Sequence, residues 1–218
     1  MGVKQILVMI AVVGLVGCGE FVKGFKKGVD RQKKAAEARA AAEKKAAEAS
    51  KPPQQTKAKS EKLIADPIVE KAVRKSLKKS EGELTAADLE KVTFLDLSDT
   101  KITDTGLKEV AKLQKLTELS LWYTQITDEG LKDVAKLQKL NSLNLKATKV
   151  TDAGLKHVDK LQKLQRLYLN YTQITDEGLK EVAKLQKLNW LYLIETKVTK
   201  AGVAELKKAL PNCFITGP

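Results

Sequence analysis

Residues 122 to 140 read WYTQITDEGLKDVAKLQKL, and residues 170 to 188 read NYTQITDEGLKEVAKLQKL. Only two letters differ, Asp133 against Glu181 and Trp122 against Asn170. The first exchange is conservative, whereas the second sets a large apolar ring against a small amide. Outward from this pair, Leu95, Leu119, Leu143, Leu167 and Leu191 recur every 24 residues, as do Leu97, Leu121, Leu145, Leu169 and Leu193. A fixed period in the twenties is the mark of a solenoid, in which each repeat buries its apolar face only against its neighbours.

Written once, the unit is L-x-x-L-x-L-x-x-T-x-I-T-D-x-G-L-K-x-V-A-x-L-x-K. Its first half alternates apolar and polar residues as a strand does, and its second half sets Leu131, Val134 and Leu137 at helical offsets. The unit therefore predicts one strand and one short helix, an α/β coil. Either Thr127 or Asp128 opens the helix, because both side chains can accept from free backbone N–H groups there. Gly106, Gly130, Gly154, Gly178 and Gly202 form a column inside the helices. Glycine costs roughly 0.5–1 kcal/mol in a helix, so a column of five implies a close approach to the backbone, by a group the sequence does not name. Thr100, Thr124, Thr148, Thr172 and Thr196 form a second column after the strands, expected to bond the backbone of neighbouring coils.

The repeats occupy residues 92 to 211. Residues 61 to 91 read as a helical cap: Asp66 and Pro67 suit a helix start, Ile68, Ala72, Val73 and Leu77 fall on one side, and Thr85 to Asp88 echo a capping box. Residues 212 to 218 are expected to close the other end, with 212 to 215 falling where a sixth strand would begin. Cys213, in this segment, reads as a small buried hydrophobe.

The first sixty residues differ in kind. They hold 13 Lys and Arg against 5 acids, so most of the +13 net charge belongs to them and the remainder is nearly balanced. No nucleic-acid partner is expected from that distribution. Residues 1 to 17 carry an apolar run from Ile6 to Val16, too short to cross a bilayer core of about 30 Å, and read as a signal peptide. Residues 18 to 60 are rich in Lys, Ala and Glu without an apolar stripe, which predicts a partly helical, solvated stalk that either rests on anionic lipid or cell wall or binds nothing.

Two resemblances follow from these residues. Leu15-Val16-Gly17-Cys18 resembles the lipobox of bacterial lipoproteins, which implies cleavage before Cys18 and lipidation of its thiol. The 24-residue unit resembles a leucine-rich repeat, with Thr where many such repeats carry Asn or Cys, and the whole is similar to bacterial surface leucine-rich-repeat lipoproteins. Residues 64 to 97 also resemble the helical cap of internalins. The resemblance implies short parallel strands on a concave face, short helices on a convex face and a macromolecular ligand. It further implies export, with lipid anchoring to the bacterial cell envelope, at the outer membrane or cell surface.

In such a coil the variable strand positions face the concave side. Position three reads Phe94, Glu118, Ser142, Arg166 and Trp190, and position five reads Asp96, Ser120, Asn144, Tyr168 and Tyr192. Positions seven and eight read Ser98, Trp122, Lys146, Asn170 and Ile194, then Asp99, Tyr123, Ala147, Tyr171 and Glu195. Both tryptophans and all four tyrosines of the chain lie here. Trp122, Tyr123, Lys146, Arg166, Tyr168, Tyr171, Trp190 and Tyr192 are the expected binding residues for a protein, peptide or glycan, because grouped exposed aromatics favour interfaces. The competing reading is a structural envelope lipoprotein held by its basic stalk. The strand face measures only about 300 Å², which suits a short chain or a weak contact better than a standard interface of about 800 Å² per partner. No catalytic residue, metal or cofactor is expected: the single histidine, His157, sits in a repeat helix without a partner motif.

Overall fold

The computed structural model describes residues 62–217. The expected signal peptide, lipidated Cys18 and stalk lie outside the described residues. Six three-residue strands form one parallel sheet in chain order: β1 (Phe94–Asp96), β2 (Glu118–Ser120), β3 (Ser142–Asn144), β4 (Arg166–Tyr168), β5 (Trp190–Tyr192) and β6 (Phe214–Thr216). The register is the sequence period itself, Leu95 opposite Leu119, Leu119 opposite Leu143 and onward to Leu191 opposite Ile215. Residues 214 to 216 thus form the sixth strand that the count placed there.

Between strands run α3 (Asp104–Val110), α4 (Asp128–Val134), α5 (Asp152–Val158), α6 (Asp176–Val182) and the longer α7 (Lys200–Ala209). They follow α1 (Pro67–Leu77) and α2 (Ala86–Leu89) of the cap. The repeat helices are shorter than the offsets suggested: Leu137 lies beyond α4 in a turn, yet is buried. One continuous core runs from Ile64 to Cys213. Burial pushes the Cys213 thiol up to about 11, in keeping with a packing role.

The aspartate column accounts for Gly130, Gly154, Gly178 and Gly202, whereas a Cβ on Gly106 would meet Ile102 Cδ1 at 2.3 Å and Asp66 Oδ2 of the cap at 2.9 Å. Thr127 is the N-cap of α4 and accepts from Glu129 N, so Asp128 is free for other use. Its carboxylate reaches the next coil, accepting from Thr151 N at 2.8 Å and Thr151 Oγ1 at 2.6 Å. Asp104, Asp152 and Asp176 make the same two bonds to Thr127, Thr175 and Thr199. A Cβ on Gly154 would stand 2.4 Å from Asp128 Oδ1, and one on Gly178 would stand 2.3 Å from Asp152 Oδ1. The group that approaches the helix backbone is therefore the carboxylate of the preceding coil. Lys200 occupies the aspartate position of the fifth coil and, having no acceptor, cannot extend the ladder.

The threonine column corrects its expectation. Each hydroxyl donates within its own coil, to the carbonyl three residues back: Thr124 to Leu121 at 2.7 Å, Thr148 to Leu145 at 2.7 Å and Thr172 to Leu169 at 2.5 Å. The reason is the turn just before it. Asp99, Tyr123, Ala147, Tyr171 and Glu195 all have left-handed backbone, with φ of 53° to 59°. Each such residue costs about 1–2 kcal/mol, and the threonine bond closes the turn it makes. The strained residue's own N–H continues the ladder between coils, as Tyr123 N to Lys146 O at 3.0 Å and Tyr171 N to Ile194 O at 2.9 Å. Positions seven and eight therefore belong to this turn and not to the strand.

The cap covers the first edge of the sheet. Asp66 caps α1 by accepting from Ile68 N and Val69 N, with Pro67 at the first helical position. Val69 and Val73 are fully buried, and Ile68, Ala72 and Leu77 pack partly beside them. Ser76 Oγ donates to Phe94 O at 2.7 Å, occupying a carbonyl on the open side of β1. Thr85 and Asp88 form a complete capping box at α2. Lys79 Nζ, 2.7 Å from Asp88 Oδ2, and then the Thr85 N–H and hydroxyl hold the Asp88 carboxyl well below the ordinary value of 3.8. A carboxyl depressed by folding stabilises the fold above its unfolded pKa and loses that contribution as pH falls. The stability difference between the protein and an Asp88→Asn variant is thus expected to be constant from neutral pH down to about 5 and to shrink below 3.8. Denaturant titrations of both proteins across that range check it.

Candidate functional site

The strands set the side chains of the candidate site one coil apart on one face. Alternation buries Leu95, Leu119, Leu143, Leu167 and Leu191 beneath the sheet and leaves their neighbours at positions three and five on the other side. Both indoles are on that outer face, Trp122 and Trp190 each 41% exposed. Tyr123 and Tyr171, tipped outward by the left-handed turn, are 64% and 52% exposed.

Neighbouring coils bring these side chains into three arrangements. Tyr168 and Tyr192 are paired in register across β4 and β5, and their rings stack with centroids 4.5 Å apart and planes 3° from parallel. Burial, and after it the adjacent Tyr192, push the Tyr168 phenol upward. Lys146 Nζ stands 5.6 Å from the ring centroid of Trp122 and 5.4 Å from that of Tyr171, so one ammonium joins aromatic faces two coils apart. Each such contact contributes about 0.5–1 kcal/mol at an exposed site and fixes the orientation of the rings. Arg166 reaches past β3 to Glu118, 3.1 Å away, and Ser142 lies buried between them.

All eight residues expected from sequence therefore share one surface, although Arg166 is half engaged by Glu118. Sequence reasoning missed Phe214, 59% exposed and paired in register with Trp190. The signal was present, since one more step of 24 from Trp190 reaches it. It also left Phe94 and Ile194, 49% and 46% exposed, outside the candidate set. The acids Asp96, Asp99 and Glu118 stand at the first coils among Phe94, Trp122 and Tyr123, and Tyr168, Tyr171, Trp190, Tyr192, Ile194 and Phe214 stand at the last beside Glu195.

The opening contrast of Trp122 with Asn170 now has a cause. Asn170 Oδ1 accepts from Ile194 N at 2.9 Å, so that side chain serves the next turn. Trp122 is released from any such duty and displays its ring. Among the described residues no group of three or more His, Cys, Asp or Glu is placed to hold a metal, and no helix is long and apolar enough to cross a membrane. His157 is half-buried on α5.

Comparison with known proteins bears on the fold. The family model described as a leucine-rich repeat matches residues 89–111, 112–135 and 160–183. The described residues have the fold of a leucine-rich-repeat solenoid. Among solved structures, the leucine-rich-repeat chain resembles an internalin of Listeria monocytogenes at 24% identity and a TM-score of 0.54, covering 70% of this chain and 49% of that one. It thus spans about half the length of that internalin. A leucine-rich-repeat protein of Leptospira interrogans matches at 28% identity and a TM-score of 0.48, over 62% of this chain and 34% of that one. Internalin C2 of Listeria monocytogenes matches at 23% and 0.42, over 72% and 95%. No curated protein matches the sequence.

Proposed function

We propose that the solenoid is a binding module that is exported, anchored through a lipidated Cys18, and reads an extended peptide, protein loop or glycan with the aromatic residues of its strand face. Repeats of this type are protein-binding scaffolds in general. The observation that carries the finer reading is the preset order of the exposed rings: the Tyr168 and Tyr192 stack and the Lys146 bridge hold them in place before any ligand arrives. Fixed aromatics lose little freedom on binding, so more of their contact area counts toward affinity. The stalk supplies reach from the membrane, and many copies on one surface would offset a small contact through avidity.

The test compares the full chain with a Trp122→Ala/Tyr168→Ala/Trp190→Ala variant on peptide and glycan arrays, followed by titration of the captured ligands. These side chains are exposed or stacked on the surface, so the variant is expected to melt close to the parent. Affinity is expected to fall at least about 30-fold, since truncating central interface aromatics costs about 2 kcal/mol or more. Undiminished capture by the variant, or equal capture by residues 18 to 60 alone, would sink the proposal in favour of a structural lipoprotein held by its stalk.

A further inference from the structure

The repeat helices and the turns after them carry three lysine columns, and the structure treats them unequally. In the first, Lys132 pairs with Glu129 and Lys180 with Glu177, each at 2.5 Å. In the second, Lys112 pairs with Glu109 at 2.9 Å, Lys136 with Asp133 at 2.7 Å, Lys208 with Glu205 at 2.6 Å, and Lys184 with Glu181. The third comprises Lys115, Lys139, Lys163 and Lys187, at the turn that leads into each strand. Lys115 has Glu90 at 3.4 Å, but Lys139, Lys163 and Lys187 make no ion pair among the described residues.

Stacking forces these like charges together. Lys115 and Lys139 hold equivalent positions in adjacent coils, and of the two only Lys115 has a carboxylate partner, Glu90. Lys115 first, then burial and the Lys163 charge, push the Lys139 ammonium below the ordinary lysine range. The third coil adds to the excess: Ala153 stands where the second and fourth coils carry Glu129 and Glu177, and His157 stands where the other coils carry Glu109, Asp133, Glu181 and Glu205, leaving Lys156 and Lys160 without ion pairs among the described residues. A row of repelling cations in register is a cost to the fold that an anionic chain would relieve.

The neighbouring positions narrow the class of that chain. Gln114, Gln138, Gln162 and Gln186 precede the lysines, each with its amide nitrogen donated to a backbone carbonyl of its own coil and its oxygen left to accept. Thr117, Asn141, Gln165 and Asn189 follow two residues on, and Asn141 Oδ1 is buried without a partner. Amides beside cations suit the hydroxyls and carboxylates of a sugar chain. None of these positions is aromatic, so unpaired bases would find nothing to stack on. In the other two columns Lys132, Lys180, Lys112, Lys136, Lys184 and Lys208 are paired, while Lys108, Lys156 and Lys160 make no ion pair among the described residues. The third row therefore holds the longest run of unpaired charge, and a single file follows a linear polymer better than a flat bilayer. Coils recur about every 4.8 Å at the strands, which is close to the advance of one sugar ring along an extended glycan.

We propose that the row Lys115, Lys139, Lys163 and Lys187, with its flanking amides, docks a linear acidic polysaccharide bearing about one carboxylate per sugar. This surface is separate from the aromatic strand positions, and its success or failure leaves the reading of that face untouched.

The test titrates the full chain with polygalacturonate of defined length, with neutral dextran, oligothymidylate and anionic phospholipid vesicles as alternatives. A Lys139→Gln/Lys163→Gln/Lys187→Gln variant is compared with Lys132→Gln/Lys136→Gln/Lys180→Gln, which removes the same charge from lysines that are ion-paired. The row variant is expected to lose at least tenfold in polygalacturonate affinity, with a salt dependence lowered by about two in log–log slope, while the control loses less than threefold. The row variant is expected to melt at or above the parent temperature and the control slightly below it, because one relieves repulsion and the other breaks pairs. Equal losses in both variants, or no loss in either, would show that the row is not a site. Tighter binding to oligothymidylate or vesicles that the row variant abolishes would overturn the polysaccharide assignment.

Discussion

Replacing Gly154 by alanine is expected to destabilise the protein by about 2–3 kcal/mol, although in an ordinary helix interior the same change gains up to about 1 kcal/mol. The sign reverses because the new methyl would stand 2.4 Å from Asp128 Oδ1 and 2.9 Å from Leu131 Cδ1. Leucine can turn aside, but the carboxylate is held by two bonds to Thr151. Hydrogen bonds to a charged group contribute about 1.5–3 kcal/mol each, and part of that loss is offset by water and by the better helix former. A double-mutant cycle isolates the cause. With Asp128→Ala in place the obstacle is gone, and Gly154→Ala is then expected to be neutral or mildly stabilising by urea titration. A gain from Gly154→Ala in the parent background would refute the link between the two columns.

Truncation at the centre of the stack is expected to cost more. Leu143 is fully buried in β3 with Leu119 and Leu167 in register on either side. Leu143→Ala is expected to lose about 3–4 kcal/mol, within the range for buried leucines whose cavity cannot collapse. The distribution of the damage is as informative as its size. Because each coil contacts only its neighbours, amide exchange should quicken most from β2 to β4 and least in α1 and β6. Acceleration of equal size throughout the sheet would mean that the solenoid unfolds as one unit instead.

The period of 24 made the architecture legible before any coordinates, since Leu95 and its successors fix strand, register and core together. Phe214 shows that the same count reached even the last strand. What stayed hidden was the partner of each polar column. Asp128 reads as a helix-opening residue because capping is a local rule, whereas its actual bonds span 23 residues, to a threonine that a local rule has already assigned. The turn at positions seven and eight was also concealed, because Tyr123, Ala147 and Tyr171 are not residues that signal a left-handed backbone. They tolerate it because a threonine bond and the ladder to the next coil over-determine the conformation. At the site, alternation set the face of Tyr168, Trp190 and Tyr192, whereas Trp122, Tyr123 and Tyr171 are placed by the turn, and the Lys146 bridge and the Arg166 pair depend on side-chain reach between coils, which no spacing rule contains.

The aspartate that each coil hands forward and the threonine with which the next receives it make the coils modular in a genetic sense. A coil copied by unequal crossing-over would meet, on its leading side, the carboxylate its glycine was made to accommodate, and would offer its own to whatever follows. Length could therefore change by whole units without any compensating substitution. The near-identity of 122 to 140 and 170 to 188 is what such a history would leave behind, with the displayed rings free to diverge afterwards.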